Sequence, residues 1–434
     1  MRQGCIEEYR ACRTIWPTLL LVLAATTTQA QEGSELDTVS TSYGPYVSMV
    51  LIDSFQGSTT DSPLVAYENL SLGRQGLAVS RCLDPLCREA LSQTLDNRGS
   101  SNAAGVYSRI LQDQAGDILI VHLKIGVGAT LRVVRCGFAA CVGGMGSPTT
   151  LNSIALDQGQ AVNIDAAIGS DGLPVIAASL RDGITDLGLW VIKCSDAVCE
   201  QPTTQTRIDP SRPLSGRVID MVIGDSGFPQ IAFQDKESAG SNGEVALLSC
   251  NDLACTGQNE TLHVLDDLGG SNGRIIDLKL SPKGNPVIAY AGLSSTLRVI
   301  ACNDPVCAGD DDAPNIIPTS SPINQAVAMD INGQGRPAIA AHSQATDSLE
   351  IIFCNDAACA GQDERTADLF QNENEDIDTG AWVDVVFDEV DRLQVVYQTY
   401  ERAGAGQNFR SLYSIRCVAE GCSLVFSDRF QAMP

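Results

Sequence analysis

The sequence predicts an all-β protein built from seven copies of one unit. Fourteen of its 16 cysteines fall into pairs with four residues between the two members, and successive pairs recur every 52 to 63 residues. Such a period is typical of repeat architectures. Between the pairs, short alternating apolar runs are separated by Gly and Pro, and no helical periodicity is sustained. The pairs are Cys82/Cys87, Cys136/Cys141, Cys194/Cys199, Cys250/Cys255, Cys302/Cys307, Cys354/Cys359 and Cys417/Cys422.

The fifth unit shows the predicted strands most clearly. Residues 275–281 form the first strand, 286–290 the second and 297–302 the third, and a looser fourth strand follows Cys307. We name these strands A to D. A Gly-x-Pro type of turn joins A to B, and the cysteine pair brackets the turn between C and D. Four antiparallel strands repeated seven times predict a seven-bladed β-propeller with strand A nearest the axis. A parallel β-helix would have shorter coils, and a helical solenoid would show helical periodicity.

The ends of the chain set how the predicted ring closes. The first recognisable strand A is 46–51 and the last strand D is 422–427, so the repeats supply seven whole blades. Closure is then expected from packing between the first and last blades, unless residues 32–44 add an edge strand. The predicted organisation is a signal peptide at 1–30, an N-terminal segment at 31–44 and a single propeller domain at 45–430.

The first thirty residues have the layout of a secretory signal. Arg13 precedes an apolar run at 19–25, and small residues at positions 28 and 30 predict cleavage between Ala30 and Gln31. The run is too short to span a bilayer, and no later run is a transmembrane candidate. We therefore expect a secreted or periplasmic protein.

The cysteine pairs are expected to be structural disulfides. Each pair brackets a four-residue turn, often with Asn and Asp, which favour turn geometry. If strands C and D form the hairpin, the two cysteines face each other across it, with Cα atoms about 4.5 to 5.5 Å apart and within disulfide reach. Zinc sites and thiol-exchange sites need different spacings. The pairs therefore predict one disulfide per blade and no metal site.

The charge balance excludes some classes of partner. The chain has 28 Lys plus Arg against 53 Asp plus Glu, a formal net charge of −25. A polyanion would be repelled, so nucleic acid and anionic membrane are not expected partners. We expect a monomer that binds a protein or a glycan.

One repeated constellation could bind a ligand. Four aspartates occupy the same place on strand A, and an aromatic side chain recurs at the end of strand B. If each aspartate and aromatic lie opposite each other in the hairpin, they surround one mouth of the channel. The candidate ligand-binding residues are Asp165, Asp220, Asp277, Asp384, Tyr67, His122, Phe233, Tyr290 and Tyr397.

Two interpretations of this constellation stay open. The carboxylates and rings could bind a ligand, or each Asp could accept hydrogen bonds from a neighbouring blade while each aromatic fills the gap between blades. The pattern is asymmetric, because the second repeat has Arg109 and the sixth has Ala328 in the Asp position. No cofactor is expected; calcium is the one ion considered, although the acidic stretches at 309–312 and 373–378 do not match a calcium loop.

The repeats also carry a resemblance. With Gly-x-Pro-x-Ile-Ala-Tyr/Phe recurring and a Leu-x-Val/Ile-Ile run before the cysteines, the chain resembles bacterial exported β-propeller repeat proteins, most of them uncharacterised. The resemblance spans residues 44–427 and implies a fold rather than an activity. The repeats lack Gly-His and Trp-Asp dipeptides and the Ser-x-Asp-x-Gly-x-x-Trp box, so trimeric-G-protein-like and sialidase-like propellers are not matched.

No catalytic motif is present in the sequence. None of His122, His263 and His342 lies in a nucleophile or zinc-site context. The sequence therefore favours a non-enzymatic binding or scaffolding module, with the long B–C loops at 234–244 and 398–408 as recognition elements. The alternative is an extracellular polysaccharide hydrolase or lyase that uses two of the four aspartates with Tyr290 or Tyr397.

Overall fold

The computed structural model describes most of the 434-residue chain. Its described residues contain 28 β-strands and one 3-10 turn at Leu293–Ser295. No helix in this part of the chain has the length and apolarity to span a membrane. The described residues are 33–37, 43–52, 61–69, 75–85, 87–137, 141, 150–201, 203–208, 218–236, 243–268, 275–309, 311–320, 322–343, 348–361, 363–369, 377–403 and 407–417.

The strands form seven antiparallel sheets of four, which confirms the predicted seven-bladed β-propeller. Strand β1 (Gly33–Asp37) comes first in the chain and belongs to the last blade. Blade 1 contains β2 (Tyr43–Ile52), β3 (Ser62–Asn69), β4 (Gly76–Cys82) and β5 (Ala90–Asn97). Blade 2 contains β6 (Ala103–Gln112), β7 (Ile118–Ile125), β8 (Ala129–Cys136) and β9 (Thr150–Ile154). Blade 3 contains β10 (Gln160–Ile168), β11 (Pro174–Asp182), β12 (Thr185–Lys193) and β13 (Thr204–Arg207). Blade 4 contains β14 (Ile219–Ile223), β15 (Pro229–Lys236), β16 (Gly243–Ser249) and β17 (Thr261–Asp267). Blade 5 contains β18 (Ile276–Leu280), β19 (Pro286–Ala291), β20 (Leu297–Ala301) and β21 (Asn315–Ile317). Blade 6 contains β22 (Ile323–Ile331), β23 (Pro337–Ser343), β24 (Ser348–Phe353) and β25 (Arg365–Leu369). Blade 7 contains β26 (Ile377–Phe387), β27 (Leu393–Ala403), β28 (Gln407–Cys417) and β1.

The hydrophobic core lies between neighbouring blades. Val133 of blade 2 and Ile176 of blade 3 belong to one buried cluster, and Val245 of blade 4 and Ile300 of blade 5 belong to another. Each sheet is therefore covered on both faces by the neighbouring blades. This explains why strands B and C read as nearly continuous apolar runs rather than as strict alternations.

The N-terminal strand supplies the outermost strand of blade 7. Strand β1 pairs antiparallel with β28, with Gly33 opposite Ile415 and Glu35 opposite Tyr413. The expectation of seven whole blades from consecutive repeats was therefore wrong, and the edge-strand alternative for residues 32–44 is what the fold uses. Backbone hydrogen bonds between the two ends of the chain join the first segment to the last blade. The predicted strand at 422–427 lies outside the described residues.

Six of the seven predicted disulfides lie within the described residues and are confirmed there. Their Cα–Cα distances are 4.7 to 5.3 Å, within the predicted range. Cys422, the expected partner of Cys417, lies outside the described residues. The six bonds join Cys82 to Cys87, Cys136 to Cys141, Cys194 to Cys199, Cys250 to Cys255, Cys302 to Cys307 and Cys354 to Cys359.

The second cysteine of each bond lies in the turn between strands C and D, which corrects its expected place. We expected the two cysteines to face each other from the ends of paired strands, but strand D begins further along the chain, at Asn315 in the blade of Cys302. The disulfide therefore closes the turn itself rather than joining two strands. The residues to which this correction applies are Cys87, Cys141, Cys199, Cys255, Cys307 and Cys359.

The backbone of the turn explains this placement. In five of the six turns the second cysteine adopts a positive φ of 49° to 53°, which bends the chain back toward the first cysteine. The turn aspartate stabilises this geometry: Asp252 Oδ1 accepts hydrogen bonds from the N–H groups of Ala254 at 2.7 Å and Thr256 at 3.2 Å. The five cysteines with a positive φ are Cys87, Cys199, Cys255, Cys307 and Cys359.

Candidate functional site

One position on the innermost strand of every blade forms a ring around the axis. Strand pairing makes the seven residues equivalent, since each lies opposite a small or branched apolar residue of strand B. We call this set the inner ring. It consists of Ser48, Arg109, Asp165, Asp220, Asp277, Ala328 and Asp384, in order from blade 1 to blade 7. The structure therefore brings the four predicted aspartates to equivalent places.

Each inner-ring aspartate binds the backbone of the next blade. Asp165 Oδ2 accepts a hydrogen bond from Met221 N at 2.5 Å. In each such pair, the donor is the residue that directly follows the inner-ring position of the next blade. The other pairs are Asp220 Oδ2 with Leu278 N at 2.5 Å, Asp277 Oδ2 with Met329 N at 2.8 Å, Asp384 Oδ2 with Met49 N at 2.7 Å, and Ser48 Oγ with Ile110 N at 3.2 Å.

Blades 2 and 6 cannot make this contact and are linked to their neighbours differently. Arg109 carries no acceptor and instead donates from Nε to Asp165 Oδ1 and from its terminal nitrogen to Asp220 Oδ1. In blade 6 the acceptor for the next blade is Asp330, which lies two residues after Ala328 on the same face of the strand. Its Oδ2 accepts a hydrogen bond from Phe387 N at 2.6 Å. Sequence reasoning missed Asp330, although the period-2 alternation of a strand places it on the face of Ala328.

Two cations cover the carboxylates. Lys279 Nζ lies 2.6 Å from Asp277 Oδ1, and Arg109 bridges Asp165 and Asp220. The Arg109 side chain is 29% exposed, whereas that of Asp165 is 2% exposed. Because strands A line the central channel of a propeller, the accessible surface of this cluster is largely cationic, although the carboxylates outnumber the cations.

Burial dominates the electrostatics of the carboxylates. It raises the pKa of Asp220, Asp277 and Asp384 to about 6, although the positive charges of Arg109 and Lys279 act in the opposite direction. Burial also raises the pKa of Asp330 to about 6, against the attraction of Lys279. Burial alone would lower the pKa of Lys279, but Asp277 and Asp220 raise it above its ordinary value.

The predicted aromatic residues do not face the inner-ring aspartates. Tyr290 pairs with Ile276, whereas Asp277 pairs with Ala289. The aromatic therefore lies one residue out of the expected register, and its side chain points to the opposite face of the sheet. The same displacement holds for Tyr67, Phe233 and Tyr397. The predicted arc of aromatics around the channel mouth was wrong; all five predicted rings, Tyr67, His122, Phe233, Tyr290 and Tyr397, are fully buried.

Two of these rings form a second kind of link between blades. The Tyr290 hydroxyl of blade 5 donates to Asp266 Oδ2 of blade 4 at 2.7 Å, and Arg298 donates to the same oxygen at 2.7 Å. The corresponding residues of blades 1 and 2 are Asp96, His122 and Arg132. Elsewhere, the Tyr67 hydroxyl lies 3.2 Å from Ser80 Oγ, and the Tyr397 ring stacks on Tyr413 with centroids 5.5 Å apart.

Asp96 is the centre of the most highly charged of these links. Lys124 Nζ lies 3.0 Å from Asp96 Oδ1, and an Arg132 terminal nitrogen lies 2.7 Å from Oδ2. The N–H of Gly105 donates to His122 Nδ1 at 3.1 Å, and His122 Nε2 lies 3.4 Å from Asp96 Oδ2. Burial would raise the pKa of Asp96, but hydrogen bonds from His122 and Lys124 lower it overall. Asp96 is therefore a firmly held anion.

The described residues also form surface pockets away from the channel. A pocket of about 430 Å³ lies above Asp96, on the face of the ring that carries the B–C and D–A connections, with Lys124 and Arg132 in its wall. A second pocket, of about 460 Å³, lies between blades 6 and 7 at their A–B turns and is lined in part by Arg336, Phe353 and Arg392. Both volumes fall in the range of small-ligand pockets.

The described residues offer little to a metal ion. The one grouping of potential ligands with suitable proximity is Cys302, Cys307 and Asp312, and both cysteines are held in a disulfide. The inner-ring aspartates already accept backbone N–H groups, and Arg109 and Lys279 supply positive charge. Calcium binding there stays a prediction.

Comparisons with known proteins find distant structural similarity and no family. No protein-family model matches the sequence, and no curated protein matches it. Solved structures are similar over most of the chain: a Dyadobacter fermentans protein of unknown function (13% identity, 72% of this chain and 94% of that chain, TM-score 0.45), the NanB sialidase of Streptococcus pneumoniae (10%, 89% and 70%, 0.46) and the Hadza microbial sialidase Hz136 (11%, 84% and 74%, 0.47). At such identities and TM-scores, these similarities carry no inference about activity.

Proposed function

We propose that the protein is a non-enzymatic binding or scaffolding module that presents a rigid ring to a protein or glycan partner. The observation that carries this proposal is the hydrogen bonding of the inner ring. Asp165, Asp220, Asp277 and Asp384 each commit one carboxylate oxygen to a backbone N–H of the next blade. The cluster thus has a complete structural role without any substrate.

The location and partner class follow from other features. Six disulfides fit an oxidising compartment, so a secreted or periplasmic protein is proposed. The inner aromatics are fully buried and offer no stacking surface. Recognition is therefore assigned to the face that carries the B–C and D–A connections, where loops on a rigid scaffold can vary.

A polysaccharide hydrolase or lyase is the second candidate, and one observation favours it. Carboxyl groups with a pKa of about 6, as in Asp277 and Asp384, suit a general acid near neutral pH. The buried hydroxyls of Tyr290 and Tyr397 argue against their use on a substrate.

Release of reducing ends from a panel of polysaccharides separates the two candidates. We expect no turnover by the purified protein. Turnover that is lost in folded Asp277→Asn and Asp384→Asn variants, and retained in Asp186→Asn, would establish the enzyme instead. Asp186 is a matched control because its carboxylate is more than one third exposed and pairs with Arg181 outside the inner ring.

A further inference from the structure

The pocket above Asp96 has the composition of a site for an anionic sugar. It is lined by Lys124 and Arg132, by the hydroxyl residues Ser101, Thr130 and Ser153, and by the B–C turn of blade 2 at 126–129. None of the described lining residues is acidic. In a chain with a net charge of −25, this is a local reversal of sign.

The two cations are fixed in place before any ligand arrives. Asp96 accepts from Lys124 through Oδ1 and from Arg132 through Oδ2, and Asn97 O accepts from Lys124 Nζ at 2.6 Å. His122 Nε2 also lies 3.4 Å from Asp96 Oδ2. Two positive charges share one carboxylate, so the group retains a net positive charge. Preorganised cations of this kind lower the entropic cost of binding an anion.

Arg132 also has an unused donor. Its Nε is buried and has no hydrogen-bond partner among the described residues. This atom has less than 1 Å² of accessible surface, so a ligand in the pocket does not reach it. The part of Arg132 that a ligand can contact is the remainder of the side chain, which is 17% exposed.

We infer that this pocket binds a single acidic sugar residue, through a carboxylate or sulfate group placed between Lys124 and Arg132. The hydroxyls of Ser101, Thr130 and Ser153 and the backbone of the glycine-rich turn then hydrogen-bond to sugar hydroxyls. The negative charge of the rest of the surface disfavours long polyanions, so the site selects a short or terminal acidic unit. This inference rests on the proposed binding function and specifies its ligand class.

Calorimetric titration of the purified protein with three probes tests the inference. Tri-galacturonate carries carboxylates alone, a κ-carrageenan tetrasaccharide carries sulfates alone, and maltotriose is neutral. We expect saturable binding of at least one acidic probe, weakening as salt rises, and no binding of maltotriose. The acidic probe that binds identifies whether the natural group is a carboxylate or a sulfate. Equal binding of maltotriose, or binding of none of the three, would overturn the inference.

Variants locate the site. Thr130→Glu adds a carboxylate opposite Lys124 in the strand pair and is expected to weaken binding by about tenfold or more. Thr185→Glu, at the exposed start of the matching strand in blade 3, is the control and should bind as the wild type does. Arg132→Gln should also weaken binding, compared with Arg181→Gln in the partly exposed pair with Asp186. Thr130→Glu keeps the test valid if Arg132→Gln fails to fold. Acidic-probe binding unchanged by Thr130→Glu would refute the pocket while leaving the binding function intact, whereas polysaccharide turnover would refute the binding function itself.

Discussion

Asp384 of the seventh blade accepts a hydrogen bond from the backbone N–H of Met49 in the first blade, at 2.7 Å. The ring is therefore closed on its inner side by the same contact that Asp165, Asp220 and Asp277 make between consecutive blades. On its outer side it is closed by β1. Inner and outer closures join the same two ends of the chain.

Removing the Asp384 acceptor is expected to destabilise the ring at this junction. In Asp384→Ala the N–H of Met49, a buried residue, loses its partner, at a cost of about 1 to 3 kcal/mol. In Asp384→Asn the amide oxygen can still accept, so the loss should be smaller. Urea denaturation of both variants checks this expectation. Equal stability of Asp384→Ala and the wild type would show that the contact does not stabilise closure.

The repeat count was readable from the sequence because each repeat carries one cysteine pair with the same four-residue spacing, after its third apolar run. Cys302 and Cys307 mark the C–D connection by residue type, and the apolar runs mark the strands. The inner-ring aspartates were also readable, since the residue counts from the turn place them on equivalent positions. The hydrogen-bond partners of these aspartates could not be predicted from the sequence, because the partner N–H groups belong to the next blade, more than 50 residues away for Asp165.

The register of the hairpins was missed by one residue for a physical reason. The turn of blade 5 spans 281–285, where Ser281 N donates to Asn285 O, so the hairpin is centred on Lys283, whereas a pairing of Asp277 with Tyr290 requires a centre midway between Lys283 and Gly284. That shift moves Tyr290 to the other face from Asp277. Strand β1 was hard to recognise because its five residues, GSELD, show no apolar alternation. Only pairing with β28 makes it a strand.

The raised pKa of Asp330 predicts a pH dependence of stability. Its folded pKa of about 6 lies above the ordinary value of about 3.9 for Asp, so the folded state favours the protonated form. Its contribution to the free energy of unfolding is therefore present at low pH and falls as pH rises from about 4 to about 6. Asp330→Asn keeps an acceptor for Phe387 N but does not ionise.

We expect Asp330→Asn to gain stability relative to the wild type as pH rises through this window, by an amount on the order of 1 kcal/mol. Denaturant midpoints at pH 4.5, 5.5, 6.5 and 7.5 measure the difference. Asp186→Asn, at a partly exposed aspartate in an ion pair, is the control. A difference between variant and wild type that stays constant across this range would contradict the raised pKa.

The outer closure by β1 predicts a localised effect of a single proline. Glu35 lies opposite Tyr413 in the β1–β28 pair, and proline at position 35 removes the N–H of that residue and restricts its backbone. In Glu35→Pro we expect β1 to detach, so that the amides of residues 412–415 exchange with deuterium faster while those of blade 4 keep their protection. An unpaired edge also promotes association between chains, so the variant should self-associate more readily.

Glu35→Ala removes the same charge without the backbone change and should behave as the wild type. If residues 412–415 stay as protected in Glu35→Pro as in Glu35→Ala, the ring does not depend on β1 and the inner contact of Asp384 with Met49 suffices to hold blade 7 in place.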